Sequence, residues 1–363
     1  MPMGNLKEFA CAITEELTEC LNGMNEEEVN RLYSDILGAE RVFAWAPGRC
    51  QAMLRCFVTH LSQAGKIAYM VGDTVTPAIG KGDLLIAASG AGHNIGVAGI
   101  AERARGYGAR AALLTIVPES LCRNASDYAV IIPGRTAACG GIGRSIQPGG
   151  GKYEQSLLLF LEAVVIRYRA EQEICSPVKE REILPAAVEL AERIRRIEEG
   201  VKEEAADSVL RAVEKTLSSD NRVFVWAPSS RPRNLLRCYL MRLMHMGIRA
   251  FVWDDTVCPE IRPGDVFILS DRDGKHPMAK YMAAYATAAG ARVFLLSEEK
   301  PPDNYPECEA VYFPVPEEWK DPRMPGCLYE LSMLILLDAM IAKHNENLGF
   351  MRTAAFALHA NLE

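Results

Sequence analysis

The chain has 363 residues, of which 49% are apolar and 24% charged, and its formal net charge is −7. That balance excludes a disordered chain and suffices for two domains of ordinary size. The acidic excess argues against nucleic acid as a partner, so a small anionic ligand would need a local positive site.

In chain order, MPMGNLKEFACAITEEL is charged and amphipathic and lacks the apolar core of a signal peptide. RVFAWAPGR (41–49) reads as a strand running into a Pro-Gly turn. Further strands are expected near 67–71, 84–88, 111–116 and 129–132. Helices are expected between them, over 51–65 and 96–108, with another along YEQSLLLFLEAVV (153–165). The longest apolar stretch, LLLFLEAVVI (157–166), is broken by Glu162 and is too short to span a bilayer. Proline and charge interrupt the pattern at EICSPVKEREILP (173–185), and then the chain repeats itself. RVFAWAPGR returns as RVFVWAPSSR (222–231), and DTVTPAIGKGD (73–83) as DTVCPEIRPGD (255–265). YEQSLLLFLEAVV returns as YELSMLILLDAMI (329–341). Two similar domains are therefore expected, 1–178 and 179–363. Strands alternating with helices imply a mainly parallel sheet covered by helices on both faces, and ligands then sit beyond the strands' carboxyl ends.

The loops at those ends carry the candidates. SGAGHN (89–94) joins an apolar strand to a helix. Either it is a tight turn with a serine cap, or Ser89, Asn94 and the helix N-terminus take an anion. In the second copy the loop reads SDRDGKHP (270–277), with Asp271 and Asp273 in place of Ser89 and Ala91, which repels a phosphate. Arg49, matched by Arg231, is either a bidentate phosphate clamp or a solvated side chain. Glu154 and Glu330 each follow a tyrosine in a first helical turn, where a carboxylate suits the dipole or serves as a general base. The six histidines form no metal-spaced cluster, and the eleven cysteines contain no C-x-x-C pair and read as reduced thiols of a cytoplasmic protein. His245 lies on a mostly apolar helix and reads as a packing residue, its counterpart being Gln63. No metal or organic cofactor is expected.

Together these motifs resemble the sugar isomerase (SIS) domain superfamily, most closely the 6-phospho-3-hexuloisomerase family. The resemblance runs through GDTVTPAIGKGDLLIAASGAG (72–92), IPGRT (132–136), QPGGGKYEQSLLLFLEAVV (147–165), RLMHMG (242–247) and the closing HANLE (359–363). It implies two tandem flavodoxin-like α/β/α domains, each with a mainly parallel five-stranded sheet, and a sugar phosphate ligand. It implies a carbonyl moved between adjacent carbons through an enediolate, with Glu154 as base and His359 as proton shuttle. Arg49, Thr74, Ser89, Gly90, Ala91, Gly92, His93 and Asn94 would bind the substrate, with His245 and Glu330 as secondary candidates. It implies a cytoplasmic homo-oligomer, a dimer of pseudo-dimers, without nucleic-acid or membrane partners. The family loop S-G-S-G-[ER]-T is altered at Ala91, His93 and Asn94, and its G-R-S-G reads Gly48, Arg49, Cys50, Gln51. With those hydroxyls lost, a noncatalytic sugar-phosphate binder and a purely structural protein are the competing expectations.

Overall fold

The computed structural model describes residues 4–135, 145–172 and 182–347. They form two compact units, one within Glu15–Glu192 and the other made of the first fourteen residues with the chain from Arg193 onward.

The elements run α1 (Leu6–Asn22), α2 (Glu26–Gly38), β1 (Val42–Trp45), α3 (Gly48–Gln63), β2 (Ala68–Met70), β3 (Leu84–Ala88) and α4 (Ile95–Gly106). They continue as β4 (Arg110–Thr115), α5 (Leu121–Ala125), β5 (Tyr128–Ile131) and α6 (Gly151–Gln172). The second copy follows the same order except that, among the described residues, no helix matches α5: α7 (Ile183–Gly200), α8 (Glu203–Thr216), β6 (Val223–Trp226), α9 (Ser230–His245), β7 (Ala250–Val252), β8 (Val266–Ser270), α10 (Pro277–Ala288), β9 (Arg292–Ser297), β10 (Glu309–Tyr312) and α11 (Cys327–Asn347). Each expected strand lies within two residues of its reading.

Each unit holds a five-stranded sheet, ordered β2-β1-β3-β4-β5 in one and β7-β6-β8-β9-β10 in the other. Every pairing is parallel. This is the flavodoxin-like order, and its direction reverses between the first and third strands, leaving a crevice at their carboxyl ends. The expected α/β fold, with a parallel five-stranded sheet in each half, is what the chain adopts. β3 reads LLIAA and is buried along its whole length, because helices cover both faces of the sheet. Alanines 98, 101 and 104 bring α4 close against Phe43, Leu85 and Leu113, and Ala279, Ala283 and Ala286 do the same for α10 against Phe224, Phe267 and Leu295. Among the described residues no helix is long and apolar enough to cross a membrane.

Two repeated polar devices hold each unit. At the amino ends of the strands, Arg41 grips Asp83 with Nε–Oδ1 2.9 Å and NH2–Oδ2 2.6 Å, while Asp83 also accepts the Gly80 N–H at 2.7 Å. Arg222 and Asp265 repeat this, and the Arg262 N–H joins at 2.9 Å. These clamps explain why both turns keep P-x-I-x-x-G-D. At the opposite ends, Tyr153 is buried and donates its hydroxyl to the Leu114 carbonyl at 2.7 Å. Tyr329 does the same to Leu296 at 2.7 Å. Burial pushes both phenols above their usual range. The tyrosine so pins the start of the last helix to the sheet and fixes the glutamate that follows it.

That glutamate meets the arginine of the first strand loop. Arg49 Nε lies 3.1 Å from Glu154 Oε2, and Arg231 Nε donates to Glu330 Oε2 at 2.6 Å. Both guanidiniums are buried, with side chains 2% and 4% exposed. Removing one partner of a buried pair strands the other charge, at about 3–5 kcal/mol. Glu330→Gln is therefore expected to lower unfolding stability by about 3 kcal/mol in urea titration, and Arg231→Met/Glu330→Leu to recover much of it. A Glu330→Gln loss below about 1 kcal/mol would contradict the clamp.

One repeat position breaks its own pattern. Gly200 lies against Pro314 as Gly23 lies against Pro133, which sets Glu198 opposite Leu21. Glu198 is 1% exposed, and among the described residues neither carboxylate oxygen has a hydrogen-bond partner. Burial holds its acidity constant well above the usual carboxylate range. A carboxyl whose pKa is raised by folding favours the native state least when ionised. Its full contribution is present below the unfolded pKa, near 4.3, and is lost as pH rises. Glu198→Leu is expected to raise stability by about 1–3 kcal/mol, more at pH 8 than at pH 5, in denaturation curves taken at both.

Candidate functional site

The switch point of the unit within Glu15–Glu192 opens into a cavity of about 610 Å³, lined by Trp45, Ala46, Pro47, Gly48, Gln51, His93, Asn94, Ile95 and Gly96. The first residues follow β1 and the last follow β3, so the two loops that flank the reversal form its walls. Among the described residues that line it, His93 is the one ionisable side chain and none is a carboxylate.

The SGAGHN loop is built from the inside out. Ser89 is buried: its N–H donates to the Leu114 carbonyl at 3.0 Å, and its Oγ accepts the Gly92 N–H at 3.2 Å. The Gly90 carbonyl accepts the Ile116 N–H at 3.2 Å, which ties the loop to the end of β4. Gly92 has φ +72°, and a Cβ there would come within 2.4 Å of Ser120 Oγ, so glycine is required twice over. Ala91 is half-buried. The outer face is left to His93, which is exposed, and to Asn94. Asn94 is the N-cap of α4, its Oδ1 accepting the Val97 N–H at 3.0 Å. Both alternatives of the sequence reading thus meet here: the loop has its cap, made by Asn94 rather than Ser89, and the helix start faces the cavity.

The remaining candidates are placed as follows. Arg49 is neither solvated nor on the cavity wall but paired with Glu154, the side chain of which is 13% exposed. Ser89 lies beneath the loop and does not line the cavity. Thr74 is exposed on the loop after β2. His245 is buried at the end of α9. Glu330 sits in the repeated clamp. His359 lies outside the described residues. The sequence reading passed over Trp45, Gln51 and Gly96. Trp45 recurs as Trp226, and its place at the end of the first strand was a usable signal.

In the second unit the corresponding loop is filled by its own side chains. Asp271 is buried, and its Oδ2 accepts the His276 N–H at the start of α10 at 3.2 Å. Burial raises its pKa, partly opposed by that backbone hydrogen bond. Arg272 stands where the first copy has Gly90, and its Cδ would lie 2.7 Å from a Cβ placed on Gly326. Its NH1 is 3.9 Å from the buried carboxylate of Glu298, which Lys320 also approaches at 3.2 Å. A carboxylate already occupies the helix start that an anion would need.

No family model matches the chain. The 3-hexulose-6-phosphate isomerase of Bacillus subtilis is 33% identical over 161 residues, 44% of this chain and 87% of that protein. The Mycobacterium gastri protein of the same name is 37% identical over 152 residues, 42% of this chain and 76% of that protein. Each match is about as long as one repeat. Among solved structures, a candidate phosphosugar isomerase from Clostridium difficile superposes with TM-score 0.67 at 12% identity, covering 99% of this chain and 97% of its own. The C-terminal domain of glucosamine-fructose-6-phosphate aminotransferase from Francisella tularensis gives TM-score 0.63 at 11% identity, covering 94% and 96%. At such identities the structures speak for the fold alone, and the sequence relatives carry the kinship. The chain belongs to the 3-hexulose-6-phosphate isomerase family of SIS-domain proteins, with the domain written twice.

Proposed function

We propose that the chain is a sugar-phosphate isomerase that interconverts a 3-keto hexose 6-phosphate and fructose 6-phosphate at one site, in the unit within Glu15–Glu192. The observation that carries this is the open cavity at that unit's switch point, set against a second copy whose loop is closed by Asp271 and Arg272. The phosphate would lie at the start of α4, where helix N–H groups and His93 favour negative charge. Glu154, paired with Arg49 and set by the Tyr153 anchor, is not among the residues lining the cavity, and as the base it would have to turn toward the ligand to take the proton from carbon. His359 would shuttle the proton at oxygen, Thr74 would contact the ligand from the neighbouring loop, and His245 and Glu330 would have no part in chemistry. The reaction so drawn needs no cofactor. We place the protein in the cytoplasm as a homo-oligomer of such chains, without nucleic-acid partners.

A noncatalytic sugar-phosphate binder is the second reading. It is favoured by the buried Arg49–Glu154 pair, which the second copy keeps without an open loop. Two measurements separate the readings. Fructose 6-phosphate is expected to raise the melting temperature of the wild type and not of Ser89→Asp, which imports the carboxylate of the closed copy. Absence of a shift with any sugar phosphate would overturn both. In a turnover assay, Glu154→Gln is expected to lower kcat by about 10²–10⁴-fold while Glu330→Gln, assayed where it is folded, stays near wild type. Binding without wild-type turnover would leave the second reading standing and remove the first.

A further inference from the structure

The two copies surround one aromatic ring with the same elements and treat it differently. In the unit within Glu15–Glu192, Trp45 ends β1, is half-buried, and lines the cavity with Gln51, His93 and Gly96. Gly96 is where α4 passes the ring: a Cβ there would lie 3.0 Å from Trp45 Cη2. In the other unit the matching indole, Trp226, is 6% exposed. The residue matching Gln51 is Arg233, and its guanidinium carbon lies 5.3 Å from the Trp226 ring centroid. Arg233 is fixed there by Nε donating to the Ala227 carbonyl at 2.9 Å and by an ion pair with Asp254. His276, matching Asn94, brings its ring to 6.3 Å from the same indole. Asp254 matches Gly72, and Met278 matches Gly96.

The second unit thus covers its indole with its own chain. The first unit has Gln51 and Asn94 where the second has Arg233 and His276 beside the ring, and Gly72 in place of Asp254, the ion-pair partner of Arg233. A planar charged side chain resting on the ring in one copy shows that this place accepts a flat, partly polar occupant. In the other copy the place is open to the cavity.

Resting on the phosphosugar reading of the site, we propose that Trp45 is the stacking platform for the sugar's carbon skeleton, and that Gln51 is the specificity-determining position that keeps the platform open. The electron-rich face of the indole attracts C–H groups polarised by neighbouring hydroxyls. The occupant is uncharged at this end. A cation would also suit the ring, but the cavity lining holds no carboxylate, and the acid that neutralises Arg233 is a glycine here. Trp45 and Gln51 therefore act on the skeleton, while the loop and the start of α4 act on the phosphate.

The test compares binding of fructose 6-phosphate and of inorganic phosphate to the full chain by calorimetry, in wild type, Trp45→Leu and Gln51→Arg. Gln51→Arg imports the plug of the second copy, and the Ala46 carbonyl stands where Ala227 accepts from Arg233. Both variants are expected to weaken fructose 6-phosphate by about fivefold or more, without weakening inorganic phosphate. Since Gln51→Arg adds a positive charge, unchanged or tighter phosphate with weaker sugar phosphate is the signature of a plugged platform. Gln51 is on the half-buried face of α3, so this variant decides the matter even if Trp45→Leu fails to fold. Unchanged fructose 6-phosphate affinity in Gln51→Arg overturns the platform while leaving the phosphosugar site intact. Tighter wild-type binding of glucosamine 6-phosphate than of fructose 6-phosphate overturns the uncharged assignment. No wild-type binding of either probe overturns the phosphosugar reading and the platform with it.

Discussion

A buried guanidinium must have its counterion within reach, and in each half of this protein that requirement ties three elements together. Arg49 leaves the end of β1 and Arg231 the end of β6, and each meets a glutamate in the first turn of the last helix of its unit. The tyrosine just before that glutamate is locked to a strand carbonyl, so the helix cannot slide without stranding both a phenol and a charge. The pair costs desolvation and returns geometry. Its recurrence in a half whose loop is closed means that its first duty is structural. Any chemistry at Glu154 is built on a carboxylate that the fold already needed.

The two halves differ in the loop after the third strand while keeping the same fold. The framework residues are kept: the Arg–Asp clamps at one end of the sheet, the Tyr–Glu–Arg set at the other, and the alanine faces of α4 and α10. What changed are side chains of the loop after the third strand. Ser89 became Asp271, and a carboxylate took over the N–H at the start of α10. Gly90 became Arg272, which fills space beside Gly326. Both replacements satisfy groups that a ligand would otherwise satisfy, and so the closed copy is stable as it stands. The same logic accounts for Arg233 over Trp226.

The open copy has the converse economy. Its loop glycines carry the tight turns, Asn94 satisfies one helix N–H, and the cavity wall is left with one histidine and no acid. That is a surface suited to an anion and an uncharged skeleton, which is what a sugar phosphate offers.

The duplication and the alternation of strands with helices were legible in the chain, because apolar runs of strand and helix length have different periods and the repeat displayed each of them twice. The loops at the strand ends were legible for the same reason: strand-to-helix turns face the ligand side of such sheets. The side chains' company was not. Arg49 and Glu154 are 105 positions apart, and nothing local says that one will neutralise the other. Ser89 looked like a donor because serines near helix starts often are, yet the turn that Gly92 imposes directs it inward. Trp45 is repeated as Trp226, and the two differ in what stands beside the ring, Gln51 and Asn94 in one copy and Arg233 and His276 in the other. Periodicity is local and can be read along a chain, whereas charge pairing and cavity lining are set by which distant residues the sheet brings together, and only the tertiary structure decides that.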